Sequence, residues 1–153
     1  MDNSTSRLLL FGTTAAAGDV ATRAAARVFL ASRDLDLGAI TLMLRIHRTP
    51  TFFGFVPLPQ PVLMALGTGL VVLLLSLGLF VRSIGPMQRL GALLAGVGGL
   101  TNGIELLCCG VSDLIAVRLR TWQSPIFNLG DVYLVLGVLL IFVAPRALAS
   151  GPK

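Results

Sequence analysis

Long apolar runs alternate with short polar stretches along this chain, and the lengths of the runs are the first limit on its fold. The plainest run, Pro61 to Val81, carries no charge. As a helix rising about 1.5 Å per residue it would cross the ~30 Å hydrocarbon core of a bilayer. A second run, Leu90 to Cys109, is rich in small residues, with Gly91, Gly96, Gly98, Gly99 and Gly103. Small residues let helix backbones approach closely in lipid, so this segment is predicted to be the central, tightly packed helix. A third, Phe127 to Ala144, is stopped by Pro145 and Arg146. The segment nearest the N-terminus, Leu8 to Leu30, is more mixed. Arg7 before an apolar core and small residues also fits a secretory signal peptide. However, Asp19, Arg23 and Arg27 fall at i, i+4 and i+8, on one face of a helix. A carboxylate one turn before an arginine suits an ion pair turned into the protein, which favours a retained, polar-faced helix.

Between these runs the period changes. In residues 38–48, Ile40, Leu42, Leu44 and Ile46 alternate with Thr41, Met43, Arg45 and His47. Ile115, Val117 and Leu119 alternate with Ala116, Arg118 and Arg120 in the same way. A period of two marks strands, and pairing the two loops would satisfy their backbone groups at a lipid boundary. The predicted fold class is an all-α membrane protein forming one domain over residues 1–153. Four transmembrane helices (about 8–30, 61–81, 90–109 and 127–144) would be joined by extramembrane loops at about 31–60 and 110–126. Those two loops would build a small β element over one end of the bundle. An even number of spans puts both termini on one side, and the basic residues lean towards cytoplasmic termini.

Composition supports the membrane reading. Of 153 residues, 55% are hydrophobic and only 12% charged, with a mean hydropathy of +0.88. A soluble domain carries roughly twice that charged fraction. The net charge of +5 comes from basic residues scattered singly or in pairs, without interleaved aromatics, so nucleic acid is not an expected partner. Cys108 and Cys109 are adjacent, rarely a geometry for an unstrained disulfide, and read as two small buried hydrophobes. No cysteine or histidine spacing suggests a metal site. The lone histidine, His47, reads as a solvated loop residue ahead of a titrating catalytic role; Trp122 and Tyr133 read as interface residues, and the Phe52-Phe53-Gly54-Phe55 cluster as a bilayer anchor ahead of a contact with substrate lipid.

Candidate chemistry lies in the acids. Asp113 and Asp131 bracket one short polar loop at the edges of the last apolar segments. Carboxylates near bilayer depth are costly and usually functional. Two that share a site cannot both ionise cheaply, so one keeps a proton while the other acts as a base, the arrangement needed to activate water. Taken singly, Asp131 also fits a helix N-cap and Asp113 a solvated loop residue.

The order of residues in the C-terminal third resembles the lipoprotein signal peptidase family, also called signal peptidase II. Its members carry a run like GGxxGNxxDR, then VVDF, then W-x-x-P-x-FNxAD. Here these read Gly98-Gly99-Leu100-Thr101-Asn102, then Val111-Ser112-Asp113-Leu114, then Trp122 and Phe127-Asn128-Leu129-Gly130-Asp131. Upstream, Asp19-Val20-Ala21-Thr22-Arg23 matches the family's DQxTK with Arg for Lys. The turn NxGAAFG survives only as Phe53-Gly54, with Arg48 where the Asn would be.

That resemblance implies an aspartic endopeptidase of the bacterial inner membrane, its site towards the periplasmic or outer face. Its substrate would be a diacylglyceryl-modified prolipoprotein, cut just before the lipid-bearing cysteine. The implied catalytic pair is Asp113 and Asp131, which with a water would need no cofactor or metal. Asn102, Asn128, Asp19 and Arg23 would orient the pair and the substrate. Polar residues inside helices also serve simply as glue or internal ion pairs. Several positions depart from the pattern. Glu105-Leu106 replaces Asp-Arg, which leaves Glu105 to find a cation elsewhere, with Arg23 and Arg27 as candidates. Gly130 stands where the family has Ala, and Arg48 puts a cation near the substrate entrance, a possible substitute for the missing Arg. These changes motivate an alternative, a non-proteolytic homologue that binds lipidated peptides or another membrane partner. A proton-coupled carrier using Asp19, Glu105, Asp113 and Asp131 has less support, since no inverted repeat is visible.

Overall fold

Helices occupy each of the apolar runs, and strands occupy both alternating loops. The computed structural model describes residues 3–48 and 59–143. Helix α1 spans Asn3–Phe29, α2 Gln60–Phe80, α3 Pro86–Cys108 and α4 Leu129–Val143. Strands β1 (Leu35–Asp36) and β2 (Ile40–His47) come from the first loop, β3 (Val111–Leu119) and β4 (Trp122–Gln123) from the last. They form one antiparallel sheet in the order β1-β2-β3-β4. The Phe52–Phe55 cluster and Pro145, Arg146 and Lys153 lie outside the described residues.

Two of these helices, over Pro61–Phe80 and Pro86–Cys108, are long and apolar enough to cross a membrane. Helix α4 is apolar but only 15 residues long, and α1 has 27 residues of mixed polarity. The outer surface of α2 shows large apolar side chains, Leu66, Val72, Leu73 and Phe80 among them. That suits lipid, where such side chains need no protein cover.

Helix α3 is central, as its glycines predict. A Cβ on Gly91 would lie 2.6 Å from the Gly137 carbonyl oxygen of α4, and one on Gly96 2.7 Å from Leu75 of α2. Helix α3 therefore meets a neighbour on each side at backbone distance. Arg89, read from sequence only as a topology signal, is buried and donates to the Gly78 and Leu79 carbonyls at 3.0 Å each. It satisfies carbonyls that the last turn of α2 leaves without intrahelical partners.

The sheet packs on the end of α1, where Ala26 and Leu30 meet Leu114, flanked by Leu42, Leu44 and Ile115. Its register carries the main departure from the sequence reading. Leu42 pairs with Ile115, but Arg45 pairs with Asp113, so β2 advances three residues while β3 advances two. The extra residue is a bulge, and it reverses which side chains share a face. Leu42, Arg45 and His47 consequently share the face of Ile115 and Asp113. The simple division of Ile40, Leu42, Leu44 and Ile46 from Arg45 and His47 holds only up to the bulge. Strand β3 also starts at Val111 rather than Ile115, which puts Asp113 in a strand instead of a loop.

Cys108 and Cys109 are exposed, contrary to the buried reading. They end α3, past the part of the helix that α2 and α4 cover.

Candidate active site

The site is assembled around one arginine. Arg23 lies on the inward face of α1, buried with Asp19 one turn earlier. Its Nε and Nη2 donate to the two Asp19 oxygens at 3.0 and 2.7 Å, the ion pair that the i, i+4 spacing predicts. Its Nη1 donates to Glu105 Oε2 on α3. Its Nη2 also lies 2.6 Å from Asn102 Oδ1 and 2.9 Å from Asn128 Oδ1, so its two hydrogens are shared among three acceptors. A guanidinium is only a donor, so both amides must turn their oxygens to it and their NH2 groups away. Those NH2 groups then point at the two aspartates. Asn102 Nδ2 donates to Asp131 Oδ1 at 2.8 Å, and Asn128 Nδ2 to Asp113 Oδ1 at 2.7 Å. A single buried cation thereby fixes the orientation of both carboxyl groups at one remove.

Local structure places each partner. Asn128 precedes α4 and is its N-cap: its Oδ1 accepts from the Asp131 N–H at 3.0 Å, and Asp131 Oδ2 accepts from the Asn128 N–H at 3.1 Å. This reciprocal pair is a capping box, so Asp131 takes the third helical position rather than the cap itself. Gly130, two residues after the cap, packs against Arg23 and Asp19 of α1. Its N–H donates to Asp19 Oδ1 at 3.1 Å, and a Cβ there would lie 2.7 Å from Arg23 Nη2.

Glu105 finds its cations on α1, as two of the candidates suggested. Besides Arg23, Arg27 Nη2 donates to Glu105 Oε1 at 2.6 Å. Ser112 adds its N–H and its hydroxyl, each at 2.9 Å. Arg27 goes on to Ser112 Oγ (2.9 Å), Gly110 O (3.0 Å) and Cys109 Sγ (3.1 Å), tying α1 to the turn between α3 and β3. Gly110 has φ +87, and a Cβ there would meet Ile46 at 2.8 Å, so the turn requires glycine. The signal for Arg27 was its place four residues after Arg23. Ser112 gave none. Arg48 is exposed and makes no hydrogen bond or ion pair with another described residue. Arg27 supplies Glu105 with a second cation from another helix.

Asp113 is held above the usual carboxylate range, chiefly by burial and also by the charge of Asp131. The Asn128 hydrogen bond, His47 and Arg23 act in the opposite direction. His47 was expected to be a solvated loop residue. It is half-exposed, but its Nε2 lies 3.3 Å from Asp113 Oδ2. Two carboxyl groups, one on a strand and one in the first turn of a helix, thus face a common region with their inner atoms pinned. Among the described residues, no group of three His, Cys, Asp or Glu is arranged to hold a metal ion.

Two solved bacterial membrane enzymes, both determined by the in meso method, share the fold. One superposes with a TM-score of 0.74 at 18% identity, covering 91% of this chain and 87% of its own. The other gives 0.72 at 17%, covering 91% and 92%. The lipoprotein signal peptidase of Chlamydia muridarum (strain MoPn / Nigg) is 34% identical over 73 residues, 47% of this chain and 44% of that protein's length. The sequence profile described as signal peptidase (SPase) II matches residues 13–145, nearly the whole length of the fold. By that match this chain belongs to the signal peptidase II family, a family of membrane proteases.

Proposed function

We propose that the chain is an aspartic endopeptidase that removes the signal peptide from diacylglyceryl-modified prolipoproteins, with Asp113 and Asp131 as its reacting pair. The observation that carries this reading is the pair of asparagine amides, both oriented by Arg23, each delivering an N–H to one aspartate. Such double pinning is costly to build and is what a reaction sensitive to carboxyl geometry needs.

Both oxygens of Asp131 already accept N–H donors, a setting that suits a carboxylate. Asp113, raised by burial, is the better seat for the shared proton. In the proposed reaction, water between the two gives a proton to Asp131 and attacks the scissile carbonyl, while Asp113 donates a hydrogen bond to the carbonyl oxygen. Collapse of the tetrahedral intermediate breaks the C–N bond, and the leaving amine takes the proton held by the pair. The pair titrates as a unit, so activity needs one proton shared between them.

The surrounding fold fits a substrate held at a bilayer surface. All four helices would span the membrane: α1 spends its charges inward and turns Leu10, Phe11, Val20 and Val28 outward. The sheet would close over the cleaved segment, with the site at the outer face of the bacterial inner membrane.

The test is cleavage of a diacylglyceryl-modified prolipoprotein by the purified protein in detergent. The expected result is a shortened product from the parent, and a loss of about 10³-fold or more with Asp113→Asn or Asp131→Asn. No product, beside an active family member under the same conditions, would favour the non-proteolytic homologue.

A further inference from the structure

The outer oxygen of Asp113 faces an imidazole that strict strand alternation would have turned away. Without the extra residue in β2, His47 would sit on the opposite face of the sheet. With it, His47 pairs with Val111, two residues before Asp113 and on the same face. A diagonal neighbour at that register is within reach of a long side chain, and the measured approach is 3.3 Å to Oδ2. The other oxygen is already taken by Asn128. Bulges next to reactive groups commonly re-aim one side chain, and here the re-aimed residue is the chain's single histidine.

We propose that His47 is a positioning residue of the carboxyl pair: when charged, its imidazole beside Asp113 opposes uptake of a second proton by the pair and so sets the acid end of the pH range in which the pair keeps one shared proton. This rests on the reading of Asp113 and Asp131 as the reacting pair.

The other described groups around Asp113 keep a fixed charge or are held elsewhere. From α4 it faces the Asn128 amide and Asp131, and from α1 it faces Arg23. Glu105 on α3 is held by Arg23 and Arg27. Arg45, directly across the sheet, turns its guanidinium to Asp34 at 3.4 Å, and Arg48 flanks β2 on the exposed side. Arginines keep their charge throughout, whereas an imidazole gains it between about pH 8 and pH 5. Among the described cations near the pair, His47 is the one of a side-chain type that can lose its charge near neutral pH.

The sign follows from the charge. A cation beside the pair opposes each proton it takes up, so the pair accepts its second, inactivating proton only at lower pH. Removing that cation lets the second proton bind at higher pH. At alkaline pH the imidazole is neutral, and its removal there changes no charge.

The experiment is the pH profile of kcat/KM for prolipoprotein cleavage by the parent, His47→Gln and His47→Lys. His47→Gln should move the acid limb up by about 0.5–1 pH unit, less at high salt because the imidazole is half-exposed, and leave the alkaline limb in place. His47→Lys keeps a cation at all pH, so it should retain the acid limb and draw the alkaline limb down. A residue needed only for folding would lower the whole curve without moving either limb, and a His47→Gln profile that superimposes on the parent after scaling overturns the proposal. A second measurement is independent of turnover. The lone histidine gives one imidazole Hε1 NMR resonance, which should carry an inflection from the titration of Asp113 that Asp113→Asn abolishes. A resonance unaffected by Asp113→Asn overturns the proposal even if cleavage is never seen. An abolished inflection in a protein that cleaves nothing keeps His47 beside Asp113 and instead sinks the peptidase reading.

Discussion

Helix α3 meets its neighbours in two different ways. Along its length it touches α4 and α2 through glycine, with Gly91 against Gly137 and Gly96 against Leu75 at backbone distance. At its C-terminal end it meets α1 through charge, with Glu105 held by Arg23 and Arg27. Apart from Arg89 against the end of α2, the glycine seam is apolar, so its demands are chiefly steric and graded. The charged seam is buried and branched, and each member leaves several others unpaired if it is lost. One interface supplies proximity, the other orientation, and the carboxyl pair needs both.

The sharpest way to separate the two is to remove the shared cation. Arg23→Met would leave Asp19 and one Glu105 oxygen without their arginine and both asparagine oxygens without their common donor. Breaking a buried pair from one side costs about 3–5 kcal/mol, which thermal unfolding in detergent would register as a large fall in Tm. Replacing both partners, as in Asp19→Leu with Arg23→Met, should recover much of that stability because no buried charge is stranded. Activity should stay lost, since Asn102 Oδ1 then lacks its arginine donor and Asn128 Oδ1 keeps only the Asp131 N–H. Recovery of cleavage in the double variant would show that the asparagines hold the aspartates without help.

A smaller effect is expected at the glycine seam, and it should change sign with position. Gly67 on α2 has nothing within 4 Å of an added Cβ, whereas Gly91 would meet the Gly137 carbonyl and the Ile141 nitrogen. Gly67→Ala should therefore stabilise by up to about 1 kcal/mol through helix propensity. Gly91→Ala should destabilise by about 1–3 kcal/mol, because backbone rather than a flexible side chain must move. Equal Tm changes at the two positions would mean that α3 and α4 are less closely seated than their glycines require.

The two interfaces were unequally legible in the sequence. The glycine run named α3 as the central helix because close helix packing in lipid leaves a compositional trace. The Asp19–Arg23 pair was readable for a similar reason, since i, i+4 spacing is local. Arg23 reaching Asn102 and Asn128, 79 and 105 residues away, leaves no local trace. Family resemblance could name those asparagines but not supply the geometry that turns both amides. The bulge in β2 was invisible because a bulge is a property of two paired strands, and one strand read alone shows only its alternation. Everything downstream of it was misread with it: the face of Arg45, and the place of His47 beside Asp113. Cys108 and Cys109 were read as buried from residue type, although they fall where α3 leaves its neighbours.

The finest test concerns two departures from the family pattern that meet in space. The resemblance implies Lys where this chain has Arg23 and Ala where it has Gly130. A Cβ on Gly130 would fall 2.7 Å from Arg23 Nη2, 3.0 Å from Asn128 Oδ1 and 3.1 Å from Asp19 Oδ2. The larger guanidinium occupies the space of the missing methyl, so the two departures compensate. Gly130→Ala alone should crowd Arg23 and cost about 1 kcal/mol, with a larger proportional loss of kcat than of stability because the crowded atoms orient Asn128. Arg23→Lys alone should lose the fork that serves Asp19 and both amides at once. Combined, the pair should be better than the sum of its parts, with a coupling of about 1 kcal/mol in a double-mutant cycle on Tm-derived stability. Strict additivity would mean that the methyl and the guanidinium do not compete, and that Gly130 serves only the approach of α4 to α1 and α3.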